Sequence, residues 1–101
     1  MDSPEPSLVI TKMDGGLRVS GEIDAHTAPL LADAVAAWEG AVLRLDLSGV
    51  EFVDSSGLRV LVEAHQRLGT VEGGELRLVD TSPAVRRLFD ITGVAEYLHL
   101  A

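Results

Sequence analysis

The order in which strand-like and helix-like hydrophobic spacing follow one another is the feature that most limits the folds open to this chain. Two short strand-like segments come first, and helical and strand-like segments then alternate to the end. Because a helix that joins two parallel strands crosses over the sheet, this β-β-α-β-α-β-α order predicts a single α/β domain. We expect a mixed β-sheet of four or five strands with crossover α-helices.

The strand-like segments are short and are bounded by turn residues. The predicted strands are 8–12, 17–20, 42–47 and a segment around Leu76 and Leu78. Asp14-Gly15 is a turn dipeptide between the first two strands, which predicts an opening antiparallel hairpin. In 42–47 leucines alternate with charged residues, as is typical of a strand with one buried face. Residues 97–100 could form a last edge strand or a short helix.

Three segments place apolar residues at helical spacing. The residues that mark them are Leu31, Val35 and Trp38, then Leu58, Leu61, Val62, His65 and Leu68, then Val85, Leu88 and Phe89. Thr27 and Ser82 are the predicted N-caps of the first and third helices, since each precedes a proline that a first helical turn tolerates. Gly40, Gly69 and Gly93 are the predicted helix stops.

Length and hydropathy set the domain organisation. A chain of 101 residues has room for one domain, and its 47% hydrophobic residues can supply a core. Residues 1–7 are rich in proline, serine and acid, which predicts a loose tail before a domain at 8–101. The longest apolar run, 34–38, is too short to cross a bilayer, and the N-terminus lacks the pattern of a secretory signal. We therefore expect a cytoplasmic protein without membrane insertion.

Charge and residue types exclude several classes of function. A net charge of −8 repels phosphate backbones, so nucleic acid is not an expected partner. The absence of cysteine excludes disulfides, thiolate zinc sites and a cysteine nucleophile. His26, His65 and His99 lie far apart without metal-ligand spacing, so we expect no metal site and no cofactor. His65 is expected to pack on the second helix and His26 to lie in a loop.

The segment most informative about function is Asp54-Ser55-Ser56-Gly57-Leu58, where a strand end meets a helix start. Sites in open α/β sheets gather at such strand ends. The first amides of a helix also lack partners and attract acceptors. One interpretation is therefore structural: Ser55 or Ser56 is an ordinary N-cap, and Asp54 complements the helix dipole. The other interpretation is that the hydroxyls serve a functional site.

Three blocks of sequence favour the functional interpretation. Asp54-Ser55-Ser56-Gly57-Leu58 after an apolar strand resembles the central motif of STAS domains, specifically of bacterial anti-sigma factor antagonists. Gly21-Glu22-Ile23-Asp24 followed by Thr27-Ala28 resembles that family's G-E-[LI]-D-x-x-T-A segment, and 82–93 resembles its S-P-x-V-x-x-L-F-x-x-x-G helix. The resemblance covers residues 8 to about 100 and implies a STAS-type fold.

The resemblance also implies a switch. In this family the serine directly after the aspartate, here Ser55, is phosphorylated by a cognate anti-sigma factor that is also a serine kinase, and a PP2C-type phosphatase reverses the modification. The unphosphorylated antagonist binds the anti-sigma factor and frees the sigma factor. Asp24 is expected beside the serine, and Ser56 and Gly57 are expected to frame the surface by capping and by permitting close approach. Kinase-regulated members of the family often have glycine where this chain has Arg59, which places a long cation on that surface.

The expected partner-binding residues are therefore Asp24, Asp54, Ser55, Ser56, Gly57 and Arg59. A second reading within the same fold is a STAS scaffold that is not phosphorylated, or a soluble subunit of a transport or signalling complex, in which Ser55 is mainly a cap. Catalysis is not expected: Ser55, Asp24 and His26 could supply a nucleophile, an acid and a base, but the chain has no G-x-S-x-G elbow.

Overall fold

A sheet with the strand order β1-β2-β3-β4 organises the fold, which the computed structural model describes over residues 8–98. The elements are β1 (Leu8–Met13), β2 (Gly16–Ile23), α1 (Ala28–Ala36), β3 (Val42–Val53), α2 (Ser55–Gly69), β4 (Glu75–Thr81), α3 (Pro83–Thr92) and α4 (Val94–Tyr97). The predicted mixed sheet with crossover helices is confirmed, with four strands. The predicted tail, 1–7, lies outside the described residues.

The sheet begins with a hairpin and continues in parallel. β1 pairs with β2 antiparallel across the turn at Asp14-Gly15, as predicted, and Gly15 has the positive φ of 75° that such a tight turn requires. β2 pairs parallel with β3, and β3 pairs parallel with β4. Each parallel pair is joined through a helix, α1 for the first and α2 for the second.

One face of the sheet carries the core and the other faces solvent. The core-facing leucines of β3 alternate with exposed or half-buried polar residues, as the sequence pattern predicts. Leu31 of α1, Leu61 of α2 and Phe89 of α3 are fully buried in the same cluster. Exposed arginines Arg18, Arg44 and Arg77 occupy the opposite face.

β3 is longer than the sequence pattern predicts. The alternation of leucines stops at Leu47, but the strand continues to Val53, with Val50 and Val53 buried. Its register against β2 shifts in this second half, so the two-residue period is broken there. β4 pairs with β3 only as far as Leu47, and α3 lies beside β3 beyond that point.

The first helix is shorter than predicted. Trp38 is predicted on its apolar face, but α1 ends at Ala36. The amide of Trp38 bonds to the carbonyl of Val35 at 3.1 Å, a tightening turn, and its indole Nε1 donates to the carbonyl of Val42 at 3.0 Å. Trp38 therefore closes the connection to β3 instead of extending α1.

The other helix ends differ less from prediction. Gly69 is the last residue of α2 and not the residue beyond it, because Thr70 takes the C-cap position. Gly93 ends α3 in the left-handed conformation at φ 81°, as predicted. A short helix, α4, precedes the C-terminal segment and shares only Tyr97 with it, and 99–100 lie outside the described residues, so the choice between an edge strand and a short helix for 97–100 stays a prediction.

Candidate docking and modification site

Two turns meet at the carboxyl ends of β2 and β3. Ile23 and Val53 are in register at the ends of these parallel strands, and the amide of Asp54 donates to the carbonyl of Ile23 at 3.1 Å. The turn after β2 leads into α1, and the turn after β3 leads at once into α2. The segments that the sequence singled out are therefore neighbours in the fold.

Asp54 is the N-cap of α2. Its backbone is extended, and its Oδ1 accepts hydrogen bonds from the amides of Ser56 at 2.8 Å and Gly57 at 3.3 Å. The prediction that Ser55 or Ser56 supplies the cap is wrong. The carboxylate lies one residue earlier, where it can satisfy two orphan amides and complement the positive end of the helix dipole.

Ser55 is consequently the first helical residue and is exposed. Its hydroxyl makes no hydrogen bond to the described part of the chain. Ser56 follows it and is half-buried. Since Asp54 caps the helix, the exposed Ser55 hydroxyl is not needed as a cap within residues 8–98.

Asp24 organises the turn before α1. Its Oδ1 accepts from the amides of His26 at 2.9 Å and Thr27 at 3.0 Å, and its main-chain carbonyl accepts from the amide of Ala28 at 2.7 Å. The hydrogen bond from the Thr27 amide, together with those from the His26 amide and the Thr27 hydroxyl, outweighs partial desolvation and lowers the pKa of Asp24. The carboxylate is thereby held ionised and fixed within the turn.

Thr27 occupies the predicted N-cap position of α1, but its side chain makes no cap hydrogen bond to the helix. Its buried hydroxyl donates to the carbonyl of Glu22 at 2.8 Å and accepts from the amide of Asp24 at 2.9 Å. The motif residue Thr27 therefore ties the turn back to β2, a role that its cap-like sequence position does not reveal.

Gly57 is buried inside the chain, which corrects the expectation that it frames the surface. A Cβ at this position would lie 2.6 Å from Cγ2 of Ile23 and 3.3 Å from the Ile23 carbonyl oxygen. The glycine does permit a close approach, but it is α2 that approaches β2 here, within the domain. Leu58 is half-buried and packs against the core, as predicted.

A shallow groove of about 510 Å³ runs between α1 and α2 at this end of the molecule. Its lining residues are Ala25, Ala28, Pro29, Ala32, Ser55, Ser56, Arg59 and Val60. Three of the predicted residues, Ser55, Ser56 and Arg59, thus line one groove. Asp24 and Asp54 do not line it and lie in the turns that precede α1 and α2. Sequence reasoning missed the α1 wall, although small residues recur at helical spacing there.

Neither of the two described histidines, His26 and His65, lines this groove, and His99 lies outside the described residues. His26 is exposed in the turn after Asp24, and His65 is half-buried on α2 with its ring edge-on to Tyr97, at 5.0 Å between centroids. Between residues 8 and 98 there is no group of three or more side chains that could hold a metal ion. None of the helices in this range is long and apolar enough to span a membrane.

A family model described as the STAS domain matches residues 5–101. The chain belongs to the STAS domain family. The resemblance predicted from three blocks of sequence is confirmed, and the STAS sheet and helices place the first two of these blocks side by side. 

Relatives of this STAS domain carry regulatory names. The chain is 42% identical over 85 residues to an anti-sigma-B factor antagonist of Listeria monocytogenes, covering 81% of this chain and 74% of the relative. It is 37% identical over 87 residues to the anti-sigma-B factor antagonist of Bacillus subtilis, covering 84% and 79%. 

Solved STAS structures agree with the fold. The crystal structure of an anti-sigma factor antagonist from Mycobacterium paratuberculosis is 36% identical, has a TM-score of 0.78 and is matched over 99% of this chain and 89% of that one. The anti-sigma factor antagonist SpoIIAA in its unphosphorylated form has a TM-score of 0.65 at 22% identity, over 88% and 83% of the two chains, and supports the fold alone.

Proposed function

We propose that this STAS domain is an anti-sigma factor antagonist whose binding is controlled by phosphorylation of Ser55. It binds a cognate anti-sigma factor when Ser55 is unmodified, and the sigma factor is thereby freed. The anti-sigma factor is a serine kinase that phosphorylates Ser55, and a PP2C-type phosphatase restores the hydroxyl. The domain itself is not an enzyme, since its part is to bind and to be modified.

The observation that carries the proposal is the state of Ser55. It is exposed at the first position of α2, it lines the groove between α1 and α2, and its hydroxyl is not needed as a cap because Asp54 supplies that function. In the transfer, the Ser55 oxygen attacks the γ-phosphorus of ATP, the hydroxyl proton passes to the kinase, and ADP leaves. The kinase supplies Mg-ATP and its base.

The same geometry explains how a local modification changes binding without changing the fold. A phosphoserine adds about −1.5 to −2 charges, which the N-terminus of a helix tolerates. A partner packed against Ser55 must instead accommodate three more oxygens beside the Asp54 carboxylate, with partial loss of hydration. Phosphorylation therefore opposes the interface and leaves the sheet and helices in place.

The test is affinity capture from native lysate with the wild type, Ser55→Ala and Ser55→Glu as baits, followed by mass spectrometry of the captured proteins and of residue 55. Thr11→Glu is the matched control, because it adds the same charge at an exposed site on β1 opposite Arg18. We expect wild type, Ser55→Ala and Thr11→Glu to capture a kinase-like anti-sigma factor and Ser55→Glu to lose it. Equal capture of the same scaffold or transport proteins by all four baits, with residue 55 never phosphorylated, contradicts the proposal.

A further inference from the structure

Arg59 lies one helical turn after Ser55 on α2, and both side chains line the same groove. Residues four apart on a helix have Cβ atoms about 5 to 6 Å from each other, so their side chains can meet. Arg59 is exposed, and it forms no ion pair within residues 8–98. Its guanidinium is therefore within reach of whatever Ser55 carries.

Among residues 8–98, Arg59 is the only charged residue that lines this groove. The opposite wall is formed by Ala25 of the turn before α1 and by Ala28, Pro29 and Ala32 of α1, none of which is charged. The neighbouring carboxylates of Asp24 and Asp54 already accept backbone hydrogen bonds in their own turns. Beyond the lining, His26 is exposed on the turn before α1, and Glu63 lies one turn further along α2 from Arg59.

We propose that Arg59 closes onto the phosphate of phosphorylated Ser55 as an intramolecular clamp. This inference rests on the proposed function only for the origin of the phosphate. An acid four residues before a base is the favourable order on a helix, and a guanidinium can bind phosphate through two parallel hydrogen bonds. The amides of Ser56 and Gly57 already donate to the Asp54 carboxylate, so they are not free to bind that phosphate.

The clamp gives Arg59 two alternative uses. In the unphosphorylated chain the guanidinium extends into the groove, where it can pair with an acidic group of a docked partner. In the phosphorylated chain it folds back onto residue 55 and is withdrawn. Phosphorylation thus adds a bulky anion and removes a cation from the same docking surface, so a single modification changes the surface twice.

The test uses chain carrying phosphoserine at position 55 by genetic encoding, so that it does not depend on finding a kinase. A 31P NMR titration measures the second pKa of the phosphate, which is about 6 when unperturbed. We expect that pKa to be about half a pH unit higher in Arg59→Gln than in the phosphorylated wild type, with Arg59→Lys in between. The Nε–H signal of Arg59 should also shift with the same titration midpoint.

Arg44→Gln is the matched control, because Arg44 is an exposed arginine on the opposite face of the sheet. It removes the same charge without touching the groove. An unchanged phosphate pKa in Arg59→Gln, or an equal change in Arg44→Gln, overturns the clamp. Either result leaves the proposed phosphorylation switch unaffected. Conversely, if the phosphate pKa rises as expected in Arg59→Gln but no anti-sigma factor binds or phosphorylates the chain, the proposed switch is contradicted and the clamp is not.

Discussion

At the residue scale, three neighbouring polar side chains at the start of α2 have three different roles. Asp54 caps the helix, Ser55 is exposed with an unused hydroxyl, and Ser56 is half-buried beside it. Residue types alone do not separate these roles, because serine and aspartate are both good caps. The end of β3 at Val53 determines which residue is the N-cap, because it places Asp54, and not a serine, directly before the first turn of α2.

The first prediction concerns this cap. Asp54→Ala should lower the free energy of unfolding by about 1 kcal/mol, whereas Ser55→Ala should change it by less than about 0.5 kcal/mol. Urea titration of both variants measures the difference, and Asp54→Asn, which keeps an acceptor oxygen, is the control. A Ser55→Ala loss as large as that of Asp54→Ala would mean that the serine is the cap after all.

The second prediction concerns Gly57. Gly57→Ala should destabilise the fold by about 1 to 3 kcal/mol, because the added methyl group would lie 2.6 Å from Cγ2 of Ile23. Gly69→Ala is the control on the same helix: a Cβ added there would meet no atom of residues 8–98 within 4 Å apart from its chain neighbours and its own helix backbone, so alanine should stabilise by about 0.5 to 1 kcal/mol. Combining Gly57→Ala with Ile23→Ala should cost less than the sum of the two, and strict additivity would argue against the contact.

The third prediction is a pH dependence. The pKa of Asp24 is lower in the folded chain than in the unfolded one, chiefly because the Thr27 amide donates to its carboxylate. Its contribution to stability is therefore complete above the unfolded pKa of about 3.9 and is lost as the pH falls through the folded pKa. The stability difference between wild type and Asp24→Asn should shrink as the pH is lowered from about 5 to about 2. A difference that grows on acidification would reverse this assignment.

At the scale of elements, β3 joins the parts of the site. Its first half is flanked by β2 and β4, and its second half by β2 and α3. Ser82 connects α3 to β3. Its amide donates to the carbonyl of Leu47, its hydroxyl donates to the carbonyl of Val50, and the hydroxyl oxygen accepts from the amide of Val85. One side chain therefore both caps α3 and attaches it to the strand that ends at the site.

The fourth prediction follows from this attachment. Ser82→Ala should cost about 1 to 2 kcal/mol, because it removes the cap and leaves the Val50 carbonyl without that donor. Amide hydrogen exchange should quicken in α3 more than in β2. Ser82→Thr keeps the hydroxyl and should retain most of the stability; uniform acceleration throughout the sheet would show that α3 is not attached locally in this way.

The sequence predicts the elements better than their limits. Hairpin, crossovers and the α3 stop at Gly93 follow from turn residues and periodicity, and the serine segment is recognised from its motif. The second half of β3 is missed because a register shift breaks the two-residue period. The buried place of Gly57 and the tie formed by Thr27 are missed because both depend on β2, which is distant in sequence and adjacent only in the folded chain.

At the scale of the whole molecule, excess acid opposes compactness. With a net charge of −8, the folded chain repels itself, and added salt screens that repulsion. Surface ion pairs, such as that of Arg86 with Asp90 at 3.1 Å, contribute little in the opposite direction.

The fifth prediction is therefore that the free energy of unfolding rises as NaCl increases from about 0.02 to about 0.5 M. Replacing three exposed acids, Asp14→Asn, Glu39→Gln and Glu72→Gln, changes the net charge from −8 to −5 and should flatten the rise. Thermal or urea unfolding at each salt concentration provides the measurement. Stability that falls with salt would instead mean that attractive ion pairs dominate.

The hydrogen bond from the Asp54 amide to the Ile23 carbonyl can form only late in folding. The opening hairpin can form from neighbouring residues, but this bond joins the ends of two strands separated by α1 and must await the crossover. The arrangement of both turns around Ser55 therefore exists only once the chain has folded. Under the proposed function, a kinase that recognises this arrangement would act only on the folded chain and not on one that is still being synthesised.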